Sequence, residues 1–251
     1  MKVLVTGATG FVGWEILRQL HEAGHAIRIL ARSRNSPRVQ EAIARWGVEV
    51  HPGDVLEPAS VGPAGKGMDA VIHLVGIIAE AGKSTFERVH TNGTRNILTA
   101  AQQAGVRRFI HMSALGTRPK AVSRYHQSKW AAEELVRGSG LEFTIFRPSL
   151  IYGPQDQFIN LFARMIRLSP IVPLLGSPGA RFQPVAVEVV AAAFVRSLGE
   201  PKAAGETYDL GGAEVLTLSA IMDCILAVMR RKRLKLQVPP KVAYCQAACL
   251  E

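Results

Sequence analysis

Short apolar runs alternate with amphipathic stretches over the first 147 residues. Runs rich in apolar and β-branched residues predict strands at 2–6, 26–31, 48–51, 69–75, 108–112 and 142–146. Between them, apolar residues at helical spacing predict helices over 11–23, 39–46, 85–104 and 124–137. The run at 69–75 is mostly apolar, which is typical of a central strand buried on both faces. Strands that alternate with helices in this order predict an α/β fold with a doubly wound parallel sheet.

The pattern changes after Arg147. Prolines at 148, 154, 170, 173, 178 and 184 divide this part into loops around a helix at 158–168. Further helices are predicted at 185–198 and 218–230, with a strand at 206–209. We therefore divide the chain into a domain over 1–147 and a smaller C-terminal substrate lobe over 148–251. The last residues lack an obvious cap, which leaves open that the chain stops short of its natural C-terminus.

Composition favours a globular enzyme. Hydrophobic residues make up 48% and charged residues 20% of the 251 residues, which excludes a disordered chain. No apolar run approaches the roughly 18 residues of a membrane-spanning helix, and the N-terminus has no secretory pattern. We expect a cytoplasmic protein without a transmembrane segment. The three cysteines have no metal-type spacing, so no metal site is predicted.

Half of the net charge of +10 lies in one basic run at 230–235, formed by Arg230, Arg231, Lys232, Arg233 and Lys235. This basic run is either a solvated helix end or a peripheral contact with an anionic membrane or a protein. No aromatic residues interleave with it, which disfavours specific nucleic-acid binding.

A glycine-rich loop separates the first strand from the first helix. The segment 7–13 reads Gly-Ala-Thr-Gly-Phe-Val-Gly, with glycines at GxxGxxG spacing. Gly7 permits a tight turn, Gly10 lets the backbone approach a diphosphate, and Gly13 lets helix pack on strand. The helix N-terminus then favours the anion. The segment predicts a Rossmann dinucleotide site whose binding residues are Gly7, Thr9, Gly10, Phe11, Val12 and Gly13.

The end of the second strand indicates which nicotinamide cofactor binds. NAD enzymes place a carboxylate there for the adenosine ribose, whereas residues 30–34 read Leu-Ala-Arg-Ser-Arg. Arg32, Ser33 and Arg34 suit a 2′-phosphate, because guanidinium groups bind phosphate in bidentate fashion. We expect NADP(H) to be preferred, with NAD(H) as the alternative.

Candidate proton chemistry lies on the helix at 124–137. Tyr125 and Lys129 are four residues apart and share one helix face. A nearby ammonium would lower the pKa of the phenol from about 10, so that Tyr125 could exchange a proton during hydride transfer. Ser113 ends the strand at 108–112, at the ligand-binding edge of such sheets, where its hydroxyl could polarise a carbonyl. An ordinary turn or cap hydroxyl is the alternative for Ser113.

Together these motifs resemble the short-chain dehydrogenase/reductase superfamily, in its extended and atypical epimerase/dehydratase-like branch. The likeness spans nearly the whole chain and is strongest to bacterial relatives of the nucleotide-binding accessory subunit of respiratory complex I. It is carried by TGATGFVG at 6–13, Gly-Asp at 53–54, His-Leu-Val-Gly at 73–76, Gly-Thr-Arg-Asn at 93–96, His-Met-Ser-Ala at 111–114, the Tyr125/Lys129 pair, and Arg147-Pro148 with Tyr-Gly-Pro at 152–154.

The resemblance implies a role for each matching residue. Ser113, Tyr125 and Lys129 would be catalytic, and Tyr125 and Lys129 would also bind the cofactor. The other implied contacts are Asp54 and Val55 with adenine, Leu74, Val75 and Gly76 with ribose and pyrophosphate, and Pro148 and Ser149 near nicotinamide.

Two departures bear on the activity. Epimerase-like members carry Asn where this chain has His90, and only twelve positions separate Ser113 from Tyr125. These features disfavour a sugar-nucleotide epimerase or dehydratase. Two functions remain: an NADP-dependent oxidoreductase for a small carbonyl, hydroxyl or quinone-like substrate, and a non-catalytic NADP(H)-binding accessory or assembly protein. His90 is either a hydrogen-bonded helix residue or a substrate-side group.

Overall fold

A computed structural model describes residues 1–175 and 177–238. Its strands are β1 (Lys2–Thr6), β2 (Ala26–Ala31), β3 (Glu49–Pro52), β4 (Ala70–His73), β5 (Arg108–Met112), β6 (Glu142–Pro148), β7 (Ile151–Tyr152), β8 (Ile171–Leu175), β9 (Arg181–Phe182), β10 (Val185–Ala186), β11 (Glu206–Leu210), β12 (Leu216–Thr217) and β13 (Leu234–Val238). Its α-helices are α1 (Phe11–Glu22), α2 (Pro37–Trp46), α3 (Pro58–Val61), α4 (Gly93–Gln103), α5 (Arg124–Arg137), α6 (Phe158–Leu168), α7 (Val187–Ser197) and α8 (Leu218–Val228). Short 3₁₀ turns span Gly62–Gly65 and Pro201–Ala203.

Seven strands form one parallel sheet in the order β11-β6-β5-β4-β1-β2-β3. The predicted α/β fold with a parallel sheet is confirmed. The chain leaves β1 in one direction for β2 and β3, and returns on the other side to β4. This reversal between β1 and β4 is the place where open α/β sheets bind ligands, outside the carboxyl ends of their strands.

Helices cover both faces of this sheet. α1 packs beside α2 and α7, whereas α4 packs beside α3 and α5. Leu4, Val71, Phe109 and Ile145 point from four strands into the core under α3, α4 and α5. Each strand also buries residues of the opposite parity, such as Val3 and Val5 of β1. Burial on both faces explains why these strands are apolar runs.

The residue contacts divide the chain into two compact units. The first consists of Met1–Pro148 with Val187–Leu210, and the second of Ser149–Ala186 with the described part of Gly211–Glu251. Residues 187–210, which the sequence-based boundary assigned to the C-terminal lobe, thus return to the first unit and supply α7 and β11. Cys245 and Cys249 lie outside the described residues. Over residues 1–175 and 177–238, no helix has the length and apolar character needed to cross a membrane.

The second unit contains more strand than its sequence pattern predicts. Beside α6 and α8 it has three strand pairs, β7 with β10, β9 with β12, and β8 with β13. α6 and α8 enclose a core that includes Phe162, Ile166 and Met222. The first two pairs have two residues per strand, which is too short for an alternating pattern to be read.

The helix predicted at 85–104 is not uniform. Residues Glu87–Asn92 form a π-helical segment ahead of α4, in which Gly93 N–H bonds to Arg88 O five residues back. Such wide turns are frequent at functional sites.

Replacing Gly13 should unfold the first unit. A methyl group on Gly13 would lie 2.7 Å from Ala8 Cα and 2.8 Å from Ala8 O, both of them backbone atoms that cannot move independently. We expect Gly13→Ala to lower the free energy of unfolding by more than ~4 kcal/mol, in the exceptional range for one substitution, as measured by denaturant unfolding. Gly199→Ala is the control, since nothing lies within 4 Å of its added methyl group. Equal stability of the two variants would contradict this assignment.

Candidate dinucleotide site and its surroundings

The loop between β1 and α1 has the geometry of an anion cradle. Gly7 has a φ of +74°, which is left-handed backbone that favours glycine, and its carbonyl accepts from Gly10 N–H at 3.0 Å. A methyl group on Gly10 would touch only Gly7 O within 4 Å, so this glycine faces open space. α1 starts at Phe11 without a side-chain cap. The N–H groups of its first turn therefore point towards an anion position with no side-chain acceptor of their own.

A cavity of about 750 Å³ opens along this loop within the first unit. It is of the size that holds large ligands. Ten of the predicted cofactor-binding residues line it: Gly7, Thr9, Gly10, Arg32, Ser33, Asp54, Val55, Leu74, Val75 and Gly76. The β3 end of the cavity is held by two bonds: Asp54 Oδ1 accepts from Leu56 N–H at 3.0 Å, and Asn96 Nδ2 donates to Val55 O at 2.8 Å.

The other eight predicted cofactor-binding residues do not line the cavity: Phe11, Val12, Gly13, Arg34, Tyr125, Lys129, Pro148 and Ser149. Phe11 and Val12 belong to the first turn of α1, where Val12 is buried, and Gly13 packs against the backbone of Ala8. Arg34 is exposed, and its carbonyl accepts from Gln40 Nε2 at 2.9 Å.

Arg38 lines the cavity and was missed by the sequence analysis. Its Nη1 donates to Thr9 O at 2.7 Å, and its guanidinium lies 4.6 Å from the centre of the Trp14 ring. The spacing of apolar residues predicted that this helix begins at residue 39. Proline favours the first position of a helix, so Pro37 was the signal that places Arg38 in the first turn of α2.

Lys129 lies directly behind Gly76, a residue of the cavity wall. Its side chain is buried, and Nζ donates to Met112 O at 3.1 Å. A methyl group on Gly76 would lie 3.0 Å from Lys129 Nζ and 3.3 Å from His90 Nε2. The lack of a side chain at Gly76 thus leaves room for the Lys129 ammonium and the His90 ring behind the cavity wall. Burial lowers the pKa of Lys129 to about 8, although the Glu133 carboxylate raises it.

His90 joins the cavity wall to α5. It is almost completely buried in the π-helical segment, and its Nε2 accepts from Ile77 N–H at 3.0 Å. The proton of the neutral ring is then on Nδ1, which donates to Ser128 Oγ at 2.8 Å. Ser128 in turn donates to Tyr125 O. Burial, together with the charge of Lys129, lowers the pKa of His90 to about 3. His90 is therefore a neutral, hydrogen-bonded helix residue in this structure.

Tyr125 lies in an aromatic group beside His90. Its ring meets the rings of Phe86 and His90 edge to face, at centroid distances of 5.6 and 5.4 Å. Burial raises the pKa of the Tyr125 phenol. The expectation that Lys129 would lower this pKa is not met, because Lys129 Nζ is turned to the Met112 carbonyl and burial dominates. Tyr125 thus keeps its proton at neutral pH.

Ser113 faces the interior of the first unit. Its Oγ is buried and lies beside the carboxylate of Glu133 on α5. Arg147 holds the same carboxylate in bidentate fashion, with bonds of 2.8 and 2.6 Å. Burial raises the pKa of Glu133, but its bonds with Arg147 and Arg137 outweigh burial and lower it. Ser113 Oγ itself has no hydrogen-bond partner within the described residues, and neither Ser113 nor Tyr125 is among the residues that line the cavity.

The two residues predicted near the nicotinamide fall in different units. Pro148 ends β6 in the first unit, where its carbonyl accepts from Leu115 N–H at 2.9 Å. Ser149 begins the second unit, and its Oγ accepts from Gln183 N–H at 3.3 Å.

Two further buried histidines lie behind Lys129, on adjacent strands. His73 Nε2 and Nδ1 bond to the hydroxyls of Thr94 and Thr6, and burial lowers its pKa to about 3, with the charge of Lys129 contributing. His111 stacks on His73 with ring centres 5.5 Å apart. Neither ring nitrogen of His111 has a hydrogen-bond partner within the described part of the chain. Burial lowers the pKa of His111 well below its usual value.

Comparison with known proteins agrees with this geometry. Residues 7–160 match the family described as NAD(P)H-binding. The chain is 32% identical over 248 residues to the mitochondrial NADH dehydrogenase (ubiquinone) 1 alpha subcomplex subunit 9 of Arabidopsis thaliana, covering 97% of this chain and 62% of that protein. It is 38% identical over 194 residues to the ceramide reductase of Caulobacter vibrioides, covering 77% and 59%. The chain thus spans about 60% of the length of these relatives.

Solved structures agree in fold. The UDP-glucose 4-epimerase of Thermus thermophilus, in complex with NAD, superposes with a TM-score of 0.77 at 24% identity over 96% of this chain and 87% of that one. The predicted Rossmann fold and the predicted resemblance to the complex I subunit are confirmed.

The buried histidines should make the protein sensitive to acid. A group whose pKa is lowered on folding adds stability above its unfolded pKa of about 6.5 and loses it as pH falls. Between pH 7 and pH 5, each such histidine lowers the free energy of unfolding by about 2 kcal/mol. We expect His111→Phe to lose about 2 kcal/mol less than the wild type over this interval, by denaturant unfolding at both values. His21→Phe, at an exposed site, is the control, and identical losses for wild type and His111→Phe would contradict the prediction.

Proposed function

This chain belongs to the NAD(P)H-binding family, and we propose that it is an NADP-dependent oxidoreductase of the short-chain dehydrogenase/reductase type that reduces a carbonyl compound. The observation that carries the proposal is the position of Lys129 Nζ directly behind Gly76 in the cavity wall. A dinucleotide cavity with a buried ammonium behind its wall, and with a protonated tyrosine beside His90 next to that ammonium, has the groups that a reductase needs.

The residues present fit a dinucleotide along its length. The glycines at 7 and 10 leave room where side chains would stand, and the uncapped start of α1 offers N–H groups to the diphosphate. Asp54 and Val55 would hold the adenine end, and Leu74, Val75 and Gly76 would line the path towards the nicotinamide end.

NADP specificity is proposed on two arginines. Arg32 follows β2, and Arg38 enters from the first turn of α2, with Ser33 between them in the cavity wall. No carboxylate stands in residues 30–34 to bind the ribose hydroxyls of NAD. A 2′-phosphate there would receive charge-assisted hydrogen bonds from Arg32 and from Arg38. Arg38 thus takes the role that the sequence pattern predicted for Arg34.

Tyr125 is the proposed proton donor. A bound reduced nicotinamide supplies the hydride for a carbonyl carbon. The oxygen of that carbonyl then needs a proton, and the raised pKa keeps one on the Tyr125 phenol at neutral pH. Lys129 would bind the ribose beside Gly76 and favour the negative charge that develops on the donor. His90 orients Tyr125 through its ring contact and through Ser128.

The substrate is proposed to be a small lipid-like or quinone-like carbonyl compound. The name of the relative from Caulobacter vibrioides, ceramide reductase, supports a reduction of this kind.

One observation favours the second candidate function, a non-catalytic NADP(H)-binding accessory protein. Ser113 has its hydroxyl buried beside Glu133, so it offers a substrate carbonyl no hydrogen bond. The relative from Arabidopsis thaliana, named as a subunit of NADH dehydrogenase, is consistent with an accessory role.

The cofactor proposal predicts that Arg32→Ala weakens NADPH binding selectively. Charged hydrogen bonds contribute about 1.5–3 kcal/mol, so the dissociation constant of NADPH should rise by about 10- to 100-fold. That of NADH should change by less than about threefold, as measured by calorimetry. Arg45→Ala is the matched control, because Arg45 is an exposed arginine near the end of α2 and outside the cavity. Equal dissociation constants of the two cofactors in the wild type would refute the preference.

The catalytic proposal predicts that Tyr125→Phe keeps cofactor affinity and loses turnover. Only one hydroxyl is removed, and a positioned acid is worth a factor of about 10²–10⁴ in rate. NADPH oxidation is followed with a panel of ketones, aldehydes and quinones. Tyr208→Phe on β11 controls for the loss of a phenol elsewhere in the same unit. Turnover that survives Tyr125→Phe unchanged would overturn the role. A wild type that binds NADPH and oxidises it with no member of the panel would favour the accessory protein.

A further inference from the structure

The second unit exposes an apolar strip beside the basic run. The strip consists of Leu168 at the end of α6, Ile171 of β8, and Leu234 and Leu236 of β13, which are 88%, 40%, 65% and 52% exposed. Leu234 pairs with Ile171 in the β8–β13 ladder, so the two side chains lie on the same face. The opposite face carries Val172 and Leu174, which are buried in the core formed with α6 and α8. The strip is therefore an apolar sheet face without cover from the described residues.

The basic run is fixed next to this strip. Arg233 Nε donates to Ile166 O of α6 at 3.0 Å, and Leu234 N–H donates to Pro170 O at 3.0 Å. Both bonds hold residues 233–234 against the segment that carries Leu168 and Ile171. Lys235 points to the other face, where Nζ is paired with Asp223 at 2.7 Å.

Three cations of the run are left for an external partner. Arg230, Arg231 and Lys232 are exposed, and within residues 1–175 and 177–238 none of their side chains has a hydrogen bond or ion pair. Arg230 has a φ of 52°, a left-handed conformation that glycine adopts freely and that is strained for a residue with a side chain. An arginine at such a position is better explained by its charge than by the backbone.

The net charge of the second unit is also positive. Its described residues contain eight Lys and Arg against three Asp and Glu. One of those three acids, Asp156, is buried, and another, Asp223, is paired with Lys235. The field around the strip is therefore positive.

We propose that the apolar strip and the basic run dock the second unit on the surface of an anionic lipid bilayer. Leucines and isoleucines that protrude beside arginines match the two layers of a bilayer surface, with apolar side chains entering the acyl boundary and cations meeting phosphate headgroups. An acidic protein would satisfy the cations but would need its own apolar cover for the strip.

An apolar cavity in the same unit supports the lipid surface over a protein. This cavity of about 550 Å³ is lined mainly by aliphatic side chains, among them Ile159, Ala163 and Ile225. Its wall also includes Val228 and Met229, the two residues directly before the basic run. A cavity of this size and lining suits a hydrocarbon chain, and a chain of that kind is supplied by a membrane.

The test is co-sedimentation of the full chain with extruded vesicles of phosphatidylcholine, with or without about 30% phosphatidylglycerol, at about 0.15 M salt. Three triple variants are compared with the wild type. The basic variant is Arg230→Gln, Arg231→Gln and Lys232→Gln; the apolar variant is Leu168→Gln, Leu234→Gln and Leu236→Gln; the control is Arg45→Gln, Arg95→Gln and Arg118→Gln, which removes the same charge from exposed sites of the first unit.

The proposal predicts that the wild type sediments with anionic vesicles and stays in solution with neutral ones. Loss of three surface cations should lower the partition coefficient at least about tenfold, and the apolar variant should lose at least as much, because burial of side chains in the interface is part of the binding. The control should stay within about twofold. Circular dichroism spectra and denaturant unfolding curves that match those of the wild type show that both units of each variant are folded.

Three results would overturn the proposal. If the wild type does not sediment with anionic vesicles, the surface would instead be assigned to an acidic protein partner. Equal losses of vesicle binding in the basic variant and the control would show that only the net charge of the protein matters, and not the position of the cations. An apolar variant that binds like the wild type would show that the strip does not enter the bilayer.

Discussion

The approach of α1 to the turn after β1 is the constraint on which the rest of the site depends. Gly13 lies so close to the backbone of Ala8 that no side chain fits between them. This contact fixes the helix axis over the sheet edge and aims the uncapped first turn at the cavity. Gly7 then turns the chain in the left-handed region, against the end of β4 at Leu74 and Val75. In the proposed mode of binding, the diphosphate is therefore recognised by the backbone, and the side chains around it set specificity.

The titratable side chains behind the cavity are all buried, and all but one of them are neutral. His73, His90 and His111 surround Lys129, and burial keeps each of them uncharged. Lys129 is thereby the single cation among these four residues, and its own pKa falls to about 8. A charge held in such surroundings interacts strongly with any ligand that reaches it, because little water screens it.

The sequence predicted most of the first unit, because strands buried on both faces leave apolar runs and the glycine spacing reports a backbone contact. It did not predict which way Ser113 points, since that depends on how the chain leaves β5 and on a carboxylate twenty residues away, at Glu133. It also missed Arg38, whose place in the wall follows from where α2 begins. The paired strands of the second unit left no pattern, because they are stabilised by contacts between distant segments.

In the π-helical segment Glu87–Asn92, the number of residues is itself a structural requirement. A π turn is an α-helix with an extra residue inserted, and one residue corresponds to about 100° of rotation around the helix axis. Deleting any one position between 87 and 92 would restore α geometry and swing Phe86 and its neighbours away from Tyr125 and Ser128. In an alignment of relatives that share this arrangement, the stretch would therefore carry no gaps, even where its exposed residues differ.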